Sequence, residues 1–219
     1  MMRLSSFRDL IAKMPISCQA FTSKRSTWEP HINRYDVAGE ALTAIFGMSG
    51  EVTLSRSDLR SLACKPDLAQ FVMATIIWGY PRGMRGNHVS SVISHLGSLT
   101  ALISTARTQP VLDWSSHFEK VVPIAGIGLS TYTKFLSFLS VQIQGHTALI
   151  LDDRIIRISN GGLFEELAPL RGLKEHNAVR SYPEYLVCIH SLARSFEVSA
   201  EGIEFFLFEF GLNLKPPPA

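Results

Sequence analysis

The sequence predicts an all-α protein, and three observations support this prediction. Nearly every periodic segment repeats its apolar residues with the 3.6-residue spacing of a helix. Strand candidates are short and few, and the apolar run at 148–151 is one of them. The chain has 219 residues, of which 46% are hydrophobic, and this is enough to bury a core. We therefore expect a single all-α domain over residues 1–219.

Caps and helix breakers divide the first half of the chain into five predicted helices. Serines open the first helix, which ends before Pro15, and Ser55 or Ser57 caps the third. The fourth begins with proline in its first turn and is apolar almost all round, so we expect it to be central and buried. A loop rich in glycine and arginine, GYPRGMRGN, separates it from the fifth. The helices are expected near 5–14, 35–50, 55–65, 66–80 and 88–106.

The second half contains shorter segments. We expect a short helix around 111–122, a helix-hairpin-helix at about 121–142, and one or two helical turns at 153–159. Residues 158–178 have an irregular pattern. C-terminal helices are expected at about 182–211, and Ser199 with Glu201 and Gly202 has the pattern of an N-terminal cap.

The charge and the cysteine content limit the classes of function that the sequence allows. The net charge is +2 at pH 7, which permits nucleic-acid binding without demanding it. The three cysteines lack zinc or redox spacing and the histidines lack metal spacing, so we expect no metal, no cofactor and a reducing, cytoplasmic compartment. No apolar run approaches the ~18 residues of a membrane helix, and we expect a monomer away from membranes. P-loop, Rossmann, serine-hydrolase and iron–sulfur signatures are absent from the sequence.

The segment PIAGIGLSTYTKFLSFL (123–139) places a glycine pair directly before a new helix. Gly126 and Gly128 allow a tight backbone approach, and the unpaired N–H groups at a helix start bind phosphate well. Lys134 is predicted in the first turn of that helix, beside a stripe of serines and threonines. An amine half-buried there should lose basicity, which a nucleophile requires at neutral pH. The alternative is a lysine whose stem covers apolar surface while its charge reaches water.

Two carboxylates, Asp152 and Asp153, directly follow the apolar run at 148–151. At least one of them should therefore lie at the edge of the core, and Asp152 follows Lys134 by 18 residues. The alternative role of Asp152 is the N-cap of the next helix. The two roles are compatible, because a capping aspartate is well oriented.

These blocks resemble the helix-hairpin-helix superfamily of DNA glycosylases, which includes endonuclease III and 8-oxoguanine DNA glycosylase. LDDRIIR (151–157) is similar to that superfamily's V-D-x-H-[IV]-x-R pattern, with Arg154 in place of the usual histidine. TKFLSF (133–138) and TIIWGYPRGMRGN (75–87) resemble blocks of a divergent subgroup, the 8-oxoguanine-glycosylase-fold proteins of bacteria and archaea. The resemblance spans roughly residues 66–210 and implies a bacterial protein with two helical subdomains and a cleft between them.

The hairpin admits two registers against that superfamily. Its L-P-G-h-G-x-K pattern puts a lysine two residues after the second glycine, and aligning Gly126 and Gly128 places Ser130 there. A gapless register from Asp152 places Lys134 there instead, with residues 129–133 replacing the glycine hairpin. We favour the second register, because it keeps the lysine–aspartate spacing.

The resemblance implies roles for individual residues. Lys134 would attack C1′ of a damaged nucleoside, an oxidised purine such as 8-oxoguanine, and form a Schiff base that can proceed to strand cleavage. Asp152 would stabilise the cationic sugar and orient or deprotonate the amine, with Asp153 as the reserve carboxylate.

Further residues are predicted to contact DNA or the extruded base. The alternative for the arginine loop is a polar turn between helices, and the alternative for Trp78 is a place in the core. The alternative for the C-terminal phenylalanines is also core packing. The predicted base pocket consists of Trp78, Tyr80 and Phe206. The predicted nucleic-acid contacts are Gly126, Gly128, Ser130, Thr131, Thr133, Arg82, Arg85, Arg154 and Arg157.

Three functions remain open on the sequence. The lead hypothesis is a DNA glycosylase and AP lyase of base excision repair acting on damaged duplex DNA, which requires Arg82, Arg85, Lys134, Arg154 and Arg157 to converge on one face. A second keeps N-glycosidic chemistry on a nucleotide, a nucleoside or modified RNA, with a conceivable role in antiphage defence. A third is a non-enzymatic nucleic-acid or protein-binding module, in which Lys134 points away from Asp152.

Overall fold

The structure is a computed structural model and describes residues 1–32 and 36–215. It is mostly helical, with two small two-stranded sheets, so the predicted all-α class is confirmed. Residue 35, where the second predicted helix was expected to begin, lies outside the described residues.

The helices and strands occur in the following order. The α-helices are α1 (Arg8–Ala12), α2 (Val37–Phe46), α3 (Arg56–Ala63), α4 (Ala69–Gly79), α5 (His88–Ser94), α6 (Leu96–Thr108), α7 (Trp114–Glu119), α8 (Leu129–Phe138), α9 (Asp153–Asn160), α10 (Ala178–Phe196) and α11 (Ala200–Phe210). The strands are β1 (Ala20–Lys24), β2 (Glu51–Ser55), β3 (Gln142–Ile143) and β4 (His146–Thr147), and both pairs, β1–β2 and β3–β4, are antiparallel. Short 3₁₀ helices occur at Leu4–Phe7, Ile16–Cys18, Arg25–Thr27, Glu29–His31, Glu165–Leu170 and Glu175–Asn177.

Side-chain caps fix the starts of five of the described α-helices, and three of these caps are at positions expected from the sequence. Ser55, not Ser57, caps α3 in a capping box, in which its Oγ accepts from the Asp58 N–H at 3.2 Å and Asp58 accepts from the Ser55 N–H at 2.8 Å. Ser199 caps α11 by accepting from the Gly202 N–H at 2.9 Å. Asp152 caps α9, so this alternative from the sequence is confirmed.

Two predicted helices are broken. The N-terminal one splits into a 3₁₀ turn and α1, and no serine side chain caps either piece. The long helix expected at 88–106 divides at His95 into α5 and α6, which are bent by 68°. Ser94 Oγ donates to the Ser91 carbonyl at 2.8 Å and His95 Nδ1 lies 2.8 Å from the same oxygen, so side chains compete with the backbone where the helix ends.

The helix α4 is central, as its all-round apolar character predicts. Every residue from Phe71 to Trp78 is at most 3% exposed, and α4 contacts α2, α3, α6 and α8. This packing sets the C-terminal end of α4 against the start of α8. Within the described residues, no single helix is long and apolar enough to cross a membrane, and α5 with α6 meets that criterion only as a bent pair.

Candidate active site

A cavity of about 470 Å³ lies between the C-terminal end of α4, the first turns of α8 and α9, and one side of α11. Its lining is unusually rich in charge for an enclosed space. The charged lining residues are Arg56, Lys134, Asp152, Asp153, Arg154 and Glu204, and the aromatic ones are Phe21, Trp78, Tyr80 and Phe208. Lys134 and Asp152 therefore line one cavity.

The glycine turn is retained ahead of α8. Gly126 has a φ of +93°, and a Cβ there would lie 2.8 Å from the Cβ of His88, so only glycine fits. Gly128 is the N-cap residue of α8. The expectation that residues 129–133 replace the glycine hairpin is thus wrong, because those residues form the first turns of α8. Lys134 is the sixth residue of the helix and lies in its second turn, not its first.

Lys134 points back along α8 toward the helix start. Side chains in a helix lean toward the N-terminus, so residues four apart meet on one face. Accordingly, Lys134 Nζ donates to Ser130 Oγ at 2.8 Å and to the Ser130 carbonyl at 3.0 Å. Only 8% of Lys134 is exposed. The alternative, in which the charge of Lys134 reaches bulk water, is therefore not observed.

The electrostatic surroundings make this amine less basic. The pKa of Lys134 is lowered from 10.5 to about 8: burial is the main cause, the carboxylates of Asp152 and Glu204 oppose it, and the Arg56 charge adds to it. At pH 7 about a tenth of such amines are neutral, against fewer than about one in a thousand for an unperturbed lysine. The sequence expectation of lowered basicity agrees with this environment.

Asp152 is held at the cavity by its own helix and by the segment that precedes it. Its Oδ1 accepts from the Ile155 N–H at 3.1 Å, which orients the carboxylate at the start of α9. Residues 148–151 are not a strand. Hydroxyl groups satisfy their backbone instead: Tyr182 donates to the Leu149 carbonyl at 2.6 Å, and Tyr185 donates to the Ile150 carbonyl at 3.0 Å.

Neither tyrosine of α10 was singled out from the sequence. The only sequence signal for their role is the YPEY spacing, which places Tyr182 and Tyr185 three residues apart on one helix face. Which segment they hold is visible only in the tertiary structure.

Asp153 and the two arginines of α9 lie toward solvent. Asp153 lines the cavity, and its Oδ2 lies 3.6 Å from Arg157 Nη1 on the exposed side of the helix. The Arg154 guanidinium also lines the cavity and stacks 4.7 Å from the centre of the Phe208 ring.

A buried ion pair that the sequence analysis missed forms one wall of the cavity. Arg56 and Glu204 are 1% and 0% exposed, and two guanidinium nitrogens donate to the two Glu204 oxygens at 3.0 and 3.1 Å. Arg56 also donates to Gln19 Oε1 at 2.7 Å and to Glu201 at 3.0 Å. Burial raises the pKa of Glu204, and the guanidinium opposes that rise. The available signal was a lone glutamate inside the apolar run IEFFLF, which predicts a partnered carboxylate.

Of the three residues predicted for the base pocket, two lie at the cavity and one does not. Trp78 and Tyr80 line the cavity. Phe206 does not: it is 0% exposed and packs against Phe7 and Phe164 in the core. Phe208 takes its place, because residues two apart on a helix lie on nearly opposite faces.

Two predicted nucleic-acid contacts on α8 are buried. Thr131 is 1% exposed and its Oγ1 lies 2.7 Å from the Tyr80 hydroxyl. Thr133 is 0% exposed and its Oγ1 accepts from the Leu151 N–H at 3.2 Å. Both hydroxyls are therefore engaged inside the protein, and the predicted contact role is wrong for both.

A groove of about 740 Å³ adjoins the cavity, and Tyr80 lines both. The arginine loop and the glycine turn both line it, with Arg85 and His88 from the first segment and Gly126 and Gly128 from the second. Of the five predicted cations, Lys134 and Arg154 line the cavity and Arg85 lines the groove. Arg82 and Arg157 are exposed on the adjoining loop and helix.

A family model described as "Putative 8-oxoguanine DNA glycosylase OGG-like protein" matches residues 15–208. The chain belongs to this OGG-like family. The match takes in the whole cavity lining, from Gln19 to Phe208, and so relates the chain to DNA glycosylases. The resemblance drawn from the blocks at 75–87, 133–138 and 151–157 is thereby confirmed. Neither the curated proteins nor the solved structures contain a significant match.

Proposed function

We propose that the chain is a DNA glycosylase and AP lyase that excises a damaged purine such as 8-oxoguanine, with Lys134 as the nucleophile. The observation that carries this proposal is the buried Lys134 amine, which lines one cavity with the capping carboxylate of Asp152. Burial lowers the pKa of this amine to about 8. A desolvated amine beside a fixed carboxylate is the arrangement that nucleophilic amine catalysis requires. Membership of the OGG-like family supports the same reaction class.

The reaction begins with the neutral amine. Lys134 Nζ attacks C1′, the bond from C1′ to the base nitrogen breaks, and the base leaves with the bonding electrons and takes up a proton. Positive charge develops on the sugar during this step, and the Asp152 carboxylate stabilises it. The nitrogen then loses a proton, the C1′–O4′ bond opens with protonation of O4′, and a Schiff base to Lys134 remains. Loss of a C2′ proton from that Schiff base expels the 3′ phosphate and cleaves the strand.

The aromatic lining gives the extruded base its binding surface. An enzyme that acts on C1′ of a base within duplex DNA extrudes the nucleotide into a pocket. A cavity of about 470 Å³ lies within the range of small-molecule sites. The half-buried rings of Tyr80 and Phe208 offer surfaces on which a purine stacks, and the buried Trp78 supports that wall from the core.

The groove beside the cavity is the proposed path of the DNA backbone. Arg85 and His88 supply side-chain donors there, and the glycine turn leads into the N-terminal end of α8. Cationic side chains and a helix start together bind phosphate. Arg82, Arg154 and Arg157 extend the basic surface on either side.

A second candidate function keeps the same chemistry on a nucleotide, a nucleoside or modified RNA. The observation that favours it is the net charge of only +2, which is low for a protein that binds duplex DNA strongly. Salt dependence separates the two candidates, because phosphate contacts along a duplex release counterions and a single nucleotide releases few.

Borohydride trapping on a duplex that contains 8-oxoguanine tests the proposal. We expect a covalent adduct with the wild type, loss of the adduct in Lys134→Gln and strongly slowed formation in Asp152→Asn. Lys120→Gln, on an exposed residue near the hairpin, is the control and should trap normally. Absence of an adduct on duplexes and single strands with several damaged bases would reject the DNA lyase. The same assay on nucleosides and RNA then tests the second candidate.

A further inference from the structure

The remaining polar feature of the cavity is the contact between Ser130 and the proposed nucleophile. Ser130 is half-buried, lines the cavity and lies one helical turn before Lys134. Its Oγ and its carbonyl oxygen both accept hydrogen bonds from Nζ, at 2.8 and 3.0 Å. Within residues 1–32 and 36–215, these are the hydrogen bonds that Nζ makes.

We propose that Ser130 is a catalytic residue that sets the direction of the Lys134 lone pair. This inference rests on the proposed function and assigns to Ser130 a role other than phosphate contact. Ser130 qualifies because its hydroxyl touches the reacting nitrogen itself.

The geometry of an amine explains how two acceptors fix a lone pair. An ammonium carries three N–H bonds in a tripod, and two of those of Lys134 are directed at Ser130. When the amine becomes neutral, it retains both hydrogen bonds by losing the third proton. The lone pair then occupies the third direction, away from Ser130 and available to a sugar carbon in the cavity. Aligned orbitals of this kind contribute much of the rate of a positioned reaction.

The fold makes this arrangement a consequence of sequence spacing. Nζ of an extended lysine reaches about one helical turn, which is ~5.4 Å. Lys134 therefore delivers its amine to the level of Ser130, two residues beyond Gly128. The two alignments of the hairpin therefore agree in space. The glycine alignment gives position 130, and Lys134, one helical turn later, places its nitrogen beside that residue.

Loss of the hydroxyl should have two measurable effects. Without Oγ, the amine has lost one of its two acceptors and can rotate about the Cε–Nζ bond. The lone pair then samples several directions, and the single-turnover rate should fall by about 10- to 100-fold. The charged amine also loses an acceptor, so the pKa of Lys134 should fall and the acid limb of the pH–rate profile should move to lower pH. A purely structural role for Ser130 predicts no such movement.

The test measures single-turnover borohydride trapping against pH for Ser130→Ala, Ser130→Thr and the wild type, with DNA affinity measured separately. Ser137→Ala removes a buried hydroxyl from the same helix and is the matched control. We expect Ser130→Ala to trap slowly with unchanged affinity and a shifted acid limb, and Ser130→Thr to regain most of the rate.

Two other results would overturn the inference while leaving the proposed function intact. One is wild-type trapping by Ser130→Ala, and the other is an equal loss in the alanine and threonine variants. If Ser130→Ala does not fold, Ser130→Cys keeps a side chain of similar size with a weaker acceptor, and its trapping at the wild-type rate would reject the inference. No adduct with the wild type on any substrate rejects the proposed function and this inference together.

Discussion

The Thr133 hydroxyl accepts a hydrogen bond from the Leu151 N–H at 3.2 Å, and these two residues immediately precede Lys134 and Asp152. The contact joins α8 to the extended segment before α9, and the two residues are 18 positions apart in the sequence. It therefore fixes the proposed nucleophile relative to its carboxylate. The link between the two proposed catalytic groups is thus a buried threonine hydroxyl that hydrogen-bonds to neither of them.

Thr133→Val tests that link with almost no change in shape. The variant leaves the Leu151 N–H buried without an acceptor, which should cost about 1–3 kcal/mol of unfolding free energy. The trapping rate should also fall, because the segment that carries Asp152 loses its hydrogen bond to α8. Urea denaturation and trapping measure the two effects. Thr133→Ser keeps the hydroxyl and should retain more of both, whereas equal stability of the valine variant and the wild type would contradict the proposed link.

The pH dependence of trapping follows from the amine. Because the pKa of Lys134 is about 8, the rate should rise about tenfold per pH unit below pH 8 and level off above it. Asp152 raises that pKa, so Asp152→Asn should move the rise to lower pH while lowering the plateau. A single-turnover profile from pH 6 to 10 measures both. An acid limb near pH 10 would show that the amine is not desolvated.

The buried amine should also reduce the stability of the fold. Its pKa is about 8 in the folded protein and about 10.5 in the unfolded chain, so below pH 8 the folded state carries a charge that burial disfavours. Lys134→Met should therefore raise the unfolding free energy by about 1–3 kcal/mol at pH 7. The gain should shrink as the pH rises from 8 to 10.5. Denaturation at several pH values measures this, with the exposed Lys13→Met as control.

The Arg56–Glu204 pair should behave as a structural unit. Glu204→Gln leaves the buried Arg56 charge with Glu201 as its remaining carboxylate partner, which should cost less than the about 3–5 kcal/mol of a fully unpaired buried charge, whereas replacing both Arg56 and Glu204 by methionine should recover much of the loss. The exposed pair of Arg8 and Glu197 gives the contrast, because breaking it with Arg8→Ala should cost less than about 1 kcal/mol. Urea denaturation compares the variants, and additive losses in the double variant would argue against a coupled pair.

Two phenylalanines of α11 should separate binding from stability. Phe208→Ala removes a stacking face from the cavity and should weaken binding of damaged DNA by about 10- to 100-fold, with little loss of stability. Phe206→Ala leaves a cavity in the core and should lower the unfolding free energy by about 3–5 kcal/mol. Binding isotherms measure the affinity for damaged DNA, and thermal unfolding measures the stability. The opposite pattern would indicate that Phe206, and not Phe208, contacts the base.

The sequence determined the parts of this protein that depend on local pattern. Helical periodicity gave the all-α class, serine and aspartate before apolar runs gave the caps at Ser55, Asp152 and Ser199, and the glycine pair located the turn before α8. The resemblance of the blocks at 133–138 and 151–157 to the glycosylase superfamily indicated Lys134 and Asp152 as candidate catalytic groups, and the apolar run before Asp152 placed its carboxylate near the core edge.

Only the tertiary structure decided which side chains surround those groups. The helix phase places Phe208 at the cavity and Phe206 in the core, and no local signal marks Thr133, Tyr182 and Tyr185 as the supports of residues 148–151. Arg56 and Glu204 meet across 148 positions of the sequence. Such contacts depend on how the helices pack against one another, and packing is a property of several segments at once.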